Sequence, residues 1–226
     1  MAIQTCTFSL DHLGSALRES RPKRRYLRFC DFSPEEPAEG VCLMRHDVDV
    51  SLEYAARMAR FEQGIGVQAT YFVRMRAAGY NPLSRRGRVI LTDIERGGGE
   101  VGLHYEGIAD GETPDSAWRR FRQEKAMLED LLGHRVGAAL HMPKRCNDFD
   151  AGAIAQAGAL YDASSQERFG GLRFVSDSNR QWRECCICDH LGGSAGLHVL
   201  LHPVWWMPEI DDACVSTIVR QLAEGD

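Results

Sequence analysis

No stretch of this 226-residue sequence stays apolar for the roughly 20 residues that a bilayer-spanning helix needs. No membrane span is therefore expected. A surplus of basic residues is also missing: 27 Lys and Arg stand against 32 Asp and Glu, for a net charge of -5. That balance argues against nucleic acid as a partner. The one basic cluster, Lys23, Arg24 and Arg25 within Arg21 to Arg28, reads as a solvated helix end or loop. Met1 to Cys6 contains no basic n-region leading into an apolar h-region, so no signal peptide and a cytoplasmic location are expected. The eight cysteines have no regular spacing and read as reduced, mostly buried thiols. Cys185 and Cys188 form a Cys-x-x-Cys with His190 close by, half of a structural zinc pattern, but no second pair exists. Alternating thiols on a strand are the simpler reading. Gly97 to Gly99 match no phosphate-cradling pattern and read as a turn. Without a linker, a composition break or an internal repeat, the chain is expected to form a single domain over 1–226.

What is present is an alternation of apolar runs and helical patterns. Ser9–Glu19 has Leu10, Leu13 and Leu17 at helical spacing. Phe32 to Pro37 is a polar loop. Val41–His46 reads as a strand, and Ser51–Gln63 as an amphipathic helix that Gly64 ends. Ala69–Val73 is β-branched and aromatic, a strand; Arg74–Arg88 reads as a loop, followed by a short helix over Thr92–Arg96. Glu100–Leu103 is the next strand. Thr113-Pro114-Asp115 starts a helix that buries Trp118, Phe121, Leu128, Leu131 and Leu132 and stops at Gly133. Arg135–Leu140 is a strand, Asp148–Gly158 a helix, Leu160-Tyr161 leads to Asp162, Leu197–Leu201 is a strand and Asp211–Ala223 a closing helix. Strand and helix in alternation predict an α/β fold with parallel strands.

In such folds functional groups collect at the C-terminal ends of the strands. Asp47 and Asp49, His104, His141, Asp162 and His202 each fall just past an apolar run. Asp47 and Asp49, one residue apart, repel unless a cation separates them, and a divalent metal is the usual remedy. One carboxylate would ligate the ion and its neighbour would remain free to take a proton. A catalytic zinc site wants about three protein ligands and an open position. His104 is the natural second ligand; the residues alone leave the third open. Trp205 and Trp206, beside His202-Pro203, are the expected wall of a ligand groove.

Assembled in this order, the motifs resemble the polysaccharide deacetylase family (NodB-homology domain, carbohydrate esterase family 4). They are His46-Asp47-Val48-Asp49, Ala69-Thr70-Tyr71-Phe72, Gly99 to His104, Tyr161 to Ser164 and Leu201-His202-Pro203, and they span most of the chain, from about Leu43 to Trp206. Arg45 to Asp49 together with His202 to Trp206 look most like the WbmS-like bacterial subgroup found with O-antigen biosynthesis. The resemblance implies a distorted (β/α) barrel of about seven parallel strands and metal-dependent hydrolysis of an amide. It makes Asp47 the general base, Asp49 and His104 metal ligands and His202 the acid that protonates the leaving amine. The ion would be divalent, zinc above others. The substrate would be an N-acetylated sugar, a nucleotide-sugar or a lipid-linked saccharide. His46, Tyr105 and Glu106, with Trp205 and Trp206, are the expected substrate contacts. The sequence departs from the family at three places. Ile108 stands where a second ligand histidine is expected, and of Glu106, Asp110 and His141 as replacements His141 is favoured because it too ends a strand. His141-Met142-Pro143 replaces an Arg-x-Pro that would partner the base, and Gly99 replaces a histidine. These departures keep two alternatives open: a non-catalytic sugar-binding or assembly protein, and a hydrolase of a non-sugar C–N bond.

Overall fold

A computed structural model of the chain describes residues 6–108, 111–141 and 151–224. Its centre is a sheet of seven strands: β1 (Arg25–Leu27), β2 (Val41–Val48), β3 (Thr70–Val73), β4 (Glu100–Tyr105), β5 (Ala138–Leu140), β6 (Arg173–Ser176) and β7 (Leu197–Leu201). The order is β5-β4-β3-β2-β7-β6 and every pairing is parallel. β7 takes one edge of β2 along Cys42 to His46. β1 and β3 share the other edge in succession, β1 at Val41 to Leu43 and β3 at Arg45 to Val48. The expected α/β barrel-like architecture of parallel strands is what the chain forms.

Parity along each strand separates two layers, because successive side chains point to opposite faces. On β2, Cys42, Met44 and Val48 join the large core beneath the helices, whereas Val41 and Leu43 join a second cluster with Phe29, Phe72, Ala139, Tyr161 and Phe169. That second cluster fills the concave interior. Gly102 is required there: a Cβ would lie 2.6 Å from the Phe72 ring. His198 sits in the same layer, its ring 4.9 Å from Phe29 and 5.0 Å from Phe174.

The helices are α1 (Leu10–Ser20), α2 (Leu52–Ile65), α3 (Arg85–Arg96), α4 (Pro114–Leu132), α5 (Ala151–Gln156), α6 (Gln166–Phe169), α7 (Ile187–Leu191) and α8 (Asp212–Glu224). Ser9, Ser51, Ser84 and Thr113 cap four of them through their hydroxyls. Several boundaries differ from expectation. Gly64 stays inside α2, and Gly66, at φ 77°, ends it. The expected loop up to Arg88 is helical from Arg85, because Ser84 caps a helix whose first turn tolerates Gly87. In α4, Phe121 and Leu128 are fully buried, but Trp118, Leu131 and Leu132 are only partly so. Residues 148–150 of the expected helix after β5 lie outside the described residues. The basic cluster is not a solvated end. β1 runs through it, and buried Arg24 donates to the carbonyls of His190, Leu191, Gly193 and Ala195 at 2.8 to 2.9 Å. Among the described residues no helix is long and apolar enough to cross a membrane.

Candidate metal and catalytic site

The concave face of β2 changes character along its length. After Val41 and Leu43 the same parity presents Arg45, Asp47 and, just past the strand, Asp49, all buried. A spacing of two residues therefore aims both carboxylates into the mouth of the curled sheet. His104 on β4, His141 directly after β5 and His202 directly after β7 arrive on the same face by the same rule.

Asp49 Oδ1 lies 3.3 Å from His104 Nε2 and 3.4 Å from His141 Nδ1, and the two nitrogens are 3.1 Å apart. Ligands about 2.0–2.1 Å from a tetrahedral ion would be separated by about 3.3–3.4 Å. The three atoms thus form one face of such a tetrahedron. Asp49 Oδ1 is buried and makes no hydrogen bond, as a carboxylate oxygen does when its partner is an ion. His104 Nδ1 faces the Ala139 carbonyl at 3.2 Å; donating there leaves Nε2 with its lone pair toward Asp49. Burial, then the neighbouring His104, push His141 down to about 4, so its imidazole is neutral and able to ligate at neutral pH. Oxygen, nitrogen and nitrogen donors suit a divalent ion such as zinc. The donor set fits the group.

Asp47 is held differently. Arg45 reaches it in a bidentate fork, Nε to Oδ1 at 2.7 Å and Nη2 to Oδ2 at 2.9 Å, and His104 Nε2 is 3.4 Å from Oδ2. Burial pushes this carboxyl up, but Arg45 and then His104 outweigh it and keep it ionised below the usual range. Arg45 was not anticipated as the partner of Asp47. It stands two residues earlier on the same strand face, and its guanidinium lies over the Phe72 ring at 5.4 Å to the centroid.

His202 faces the site across Asp49, with Nε2 3.8 Å from Asp49 Oδ2. Its other nitrogen, Nδ1, is 2.6 Å from Asp177 Oδ1, and its backbone N–H donates to the same carboxylate at 3.1 Å. Trp206 Nε1 donates to Asp177 Oδ2 at 2.8 Å. Burial alone would lower the His202 imidazole; Asp177 reverses this and raises it to about 9, so it carries a proton at neutral pH. Asp177 is a residue the sequence reading missed. It follows β6, whose Arg173 and Phe174 are exposed, so the buried run before it is only Val175 and Ser176 long.

The expected substrate contacts divide. His46 has the opposite parity and is shut in beneath the helices, 2.8 Å from Glu62 Oε1 and stacked on Tyr71. Tyr105 likewise turns away, its hydroxyl donating to the Ala117 carbonyl at 2.6 Å. Trp205 and Trp206 are each 1% exposed and pack in the core instead of walling a groove. As placed, these four have no surface with which to meet a ligand. Glu106 accepts from buried Arg74 and lies next to β4, partly exposed. Asp162 sits beside Ala138 at the start of β5, not at its tip, and accepts from the Ser164 N–H. Asp110, the remaining alternative ligand, lies outside the described residues. The Cys-x-x-Cys pair also separates: Cys185 Sγ points to His190 Nε2 at 3.2 Å, while Cys188 belongs to the start of α7 and not to a strand.

No family model matches this sequence, and no curated protein matches it. Among solved structures, the chain is similar to wild-type BA3943, described as a CE4 family pseudoenzyme from Bacillus anthracis, with a TM-score of 0.51 and 16% identity over 86% of this chain and 66% of that one. A mutant of the same protein, described as having restored enzymatic activity, gives a TM-score of 0.51 and 15% identity over 86% of this chain and 68% of that one. At such identity the likeness establishes the fold: the half-barrel of parallel strands is shared with structures of the CE4 family.

Proposed function

We propose that the chain is a metal-dependent hydrolase that removes an N-acetyl group from a sugar. The observation that carries this reading is the triangle of Asp49, His104 and His141 with ionised Asp47 on one side and His202 on the other. A divalent ion held by the triangle would supply Lewis-acid polarisation of the acyl oxygen. Asp47 accepts the proton of the attacking water. His202, held upright by Asp177, delivers a proton to the departing amine nitrogen. Arg74 keeps Glu106 beside the mouth, where its carboxylate can receive sugar hydroxyls. The sugar as substrate, and a place in O-antigen assembly, are carried by the Arg45–Asp49 and His202–Trp206 motifs.

The test is acetate release from a panel of N-acetylated sugars, nucleotide-sugars and non-sugar amides, by protein supplied with zinc, cobalt or manganese. The proposal expects release from a sugar member of the panel, abolished in Asp49→Ala, with His141→Ala losing both activity and the metal held at the Asp49 triangle. Release only from non-sugar amides would move the substrate class, and no release with any metal would remove the activity.

Two observations favour a second reading, a non-catalytic sugar-binding protein. Both oxygens of Asp47 are engaged by Arg45, which weakens its affinity for a proton. The similar solved structures are of a protein described as a pseudoenzyme. Saturable sugar binding that needs the metal, without acetate, identifies that case.

A further inference from the structure

A second group of metal-ligating side chains shares no member with the Asp49, His104 and His141 triangle. Cys6 precedes α1, His12 stands in the first turn of α1, Cys186 caps α7 and Cys188 is in its first turn. Their ligand atoms all lie within 4.8 Å of one another. Cys6 Sγ and Cys188 Sγ are 3.7 Å apart, and His12 Nε2 is 3.1 Å from Cys186 Sγ. Thiolates about 2.3 Å from a tetrahedral zinc would be separated by about 3.8 Å, and a thiolate and an imidazole by about 3.5 Å. His12 and Cys186 are buried, Cys188 partly so, and Cys6 is exposed, so an ion would be shut in by the protein on three sides. The neighbouring Cys185 and His190 form their own contact and stand outside the group.

We propose that Cys6, His12, Cys186 and Cys188 form a structural zinc site of the Cys3His type that fastens the N-terminal segment and α1 to α7. Three thiols and a neutral imidazole complete four-coordination, leaving no open position, as a structural rather than a catalytic site requires. Binding releases the three thiol protons to solvent and changes no oxidation state. The soft donors select zinc over magnesium or calcium. Location gives the site its purpose: α7 is five residues long, too short to hold itself, and packs on α1. Arg24 already ties the end of α7 and the segment after it to the rest of the chain, by two carbonyl contacts each. The zinc would tie its beginning.

The full-length chain, stripped with chelator under reductant and titrated with cobalt(II), tests this separately from the Asp49 site. Thiolate-to-cobalt charge-transfer absorption arises only from cysteine ligands, so the two sites are distinguished in one spectrum. The band is expected to saturate at one equivalent, to persist in Asp49→Ala/His104→Ala, and to vanish in Cys186→Ser/Cys188→Ser. Should that double variant fail to fold, Cys6→Ser at the exposed corner serves instead, with cobalt affinity falling by at least the roughly tenfold that loss of even an outer-shell partner causes. No band in the wild-type chain overturns the proposal. So does a band that survives the cysteine substitutions, or a Cys6–Cys188 disulfide that persists in the reduced preparation and leaves the chain without bound zinc.

Discussion

Arg45 and Asp47 stand side by side on β2, both about 6% exposed at the side chain, and they decide the charge of the concave layer. Removing one partner of such a pair leaves the other buried and uncompensated. Arg45→Met is therefore expected to lower stability by about 3–5 kcal/mol, while Arg45→Met/Asp47→Leu recovers most of it. Urea unfolding of the two variants measures this, and a single substitution that costs under about 1 kcal/mol contradicts the tight pairing. His198, deeper in the same layer, gives a pH dependence. Burial, then Arg45, lower its imidazole to about 3, and its Nε2 has no hydrogen-bond partner among the rings around it. The folded value lies below the unfolded one, so between about pH 6.5 and 3 the unfolded chain binds the extra proton. His198 thus favours the fold above pH 6.5 and opposes it progressively as pH falls, on the order of 1 kcal/mol per pH unit. His198→Met should flatten the loss of stability between pH 7 and 4.5; parallel slopes in the two proteins would show that His198 is not buried as described.

At the scale of elements, the short ones carry the least sequence signal and the most consequence. Arg24 holds the last turn of α7 and the segment after it. Arg24→Gln should cost about 2–3 kcal/mol, as buried carbonyls lose a charged donor, with hydrogen exchange rising at residues 190–195 ahead of the strands. Uniform loss of protection across the sheet would mean instead that α7 is not held locally. The same contrast explains what was legible beforehand. β2, β3, β4 and β7 are continuous buried runs, and their ends marked Asp47, Asp49, His104 and His202 from pattern alone. β1 and β6 are three and four residues long with exposed members, so the first reads as part of a basic loop and the second, with Asp177 behind it, carries no strand signal. Parity was the unused signal. Asp47, Asp49, His104 and His141 share one face by counting in twos, and the same count places His46 and Tyr105 on the other. Trp205 and Trp206 illustrate the opposite limit: aromatic pairs look alike in sequence whether they wall a groove or fill a core. Contacts between distant segments, such as Cys6 with Cys188, leave no local trace at all.

The molecule as a whole places two donor sets in different settings. At the mouth of the sheet an aspartate and two histidines come from three strand ends, with Asp47 and His202 beside them. Against α1 and α7 three cysteines and a histidine converge, His12 and Cys186 buried and Cys6 at the exposed edge. A three-ligand set beside an ionised carboxylate and a protonated imidazole suits chemistry, and a four-ligand set suits fastening. Each should stabilise the chain when loaded, since an ion bound only by the folded state raises stability by mass action. Heating with and without chelator should therefore lower the midpoint in the wild-type chain. In Cys186→Ser/Cys188→Ser the drop should be smaller, because one site is gone. Most direct is anomalous diffraction at the zinc edge from crystals grown with zinc. A peak within about 2.0–2.2 Å of Asp49 Oδ1, His104 Nε2 and His141 Nδ1 is the predicted result. Zinc-bearing crystals with no peak there, or with an ion that leaves His141 uncoordinated, would contradict the site.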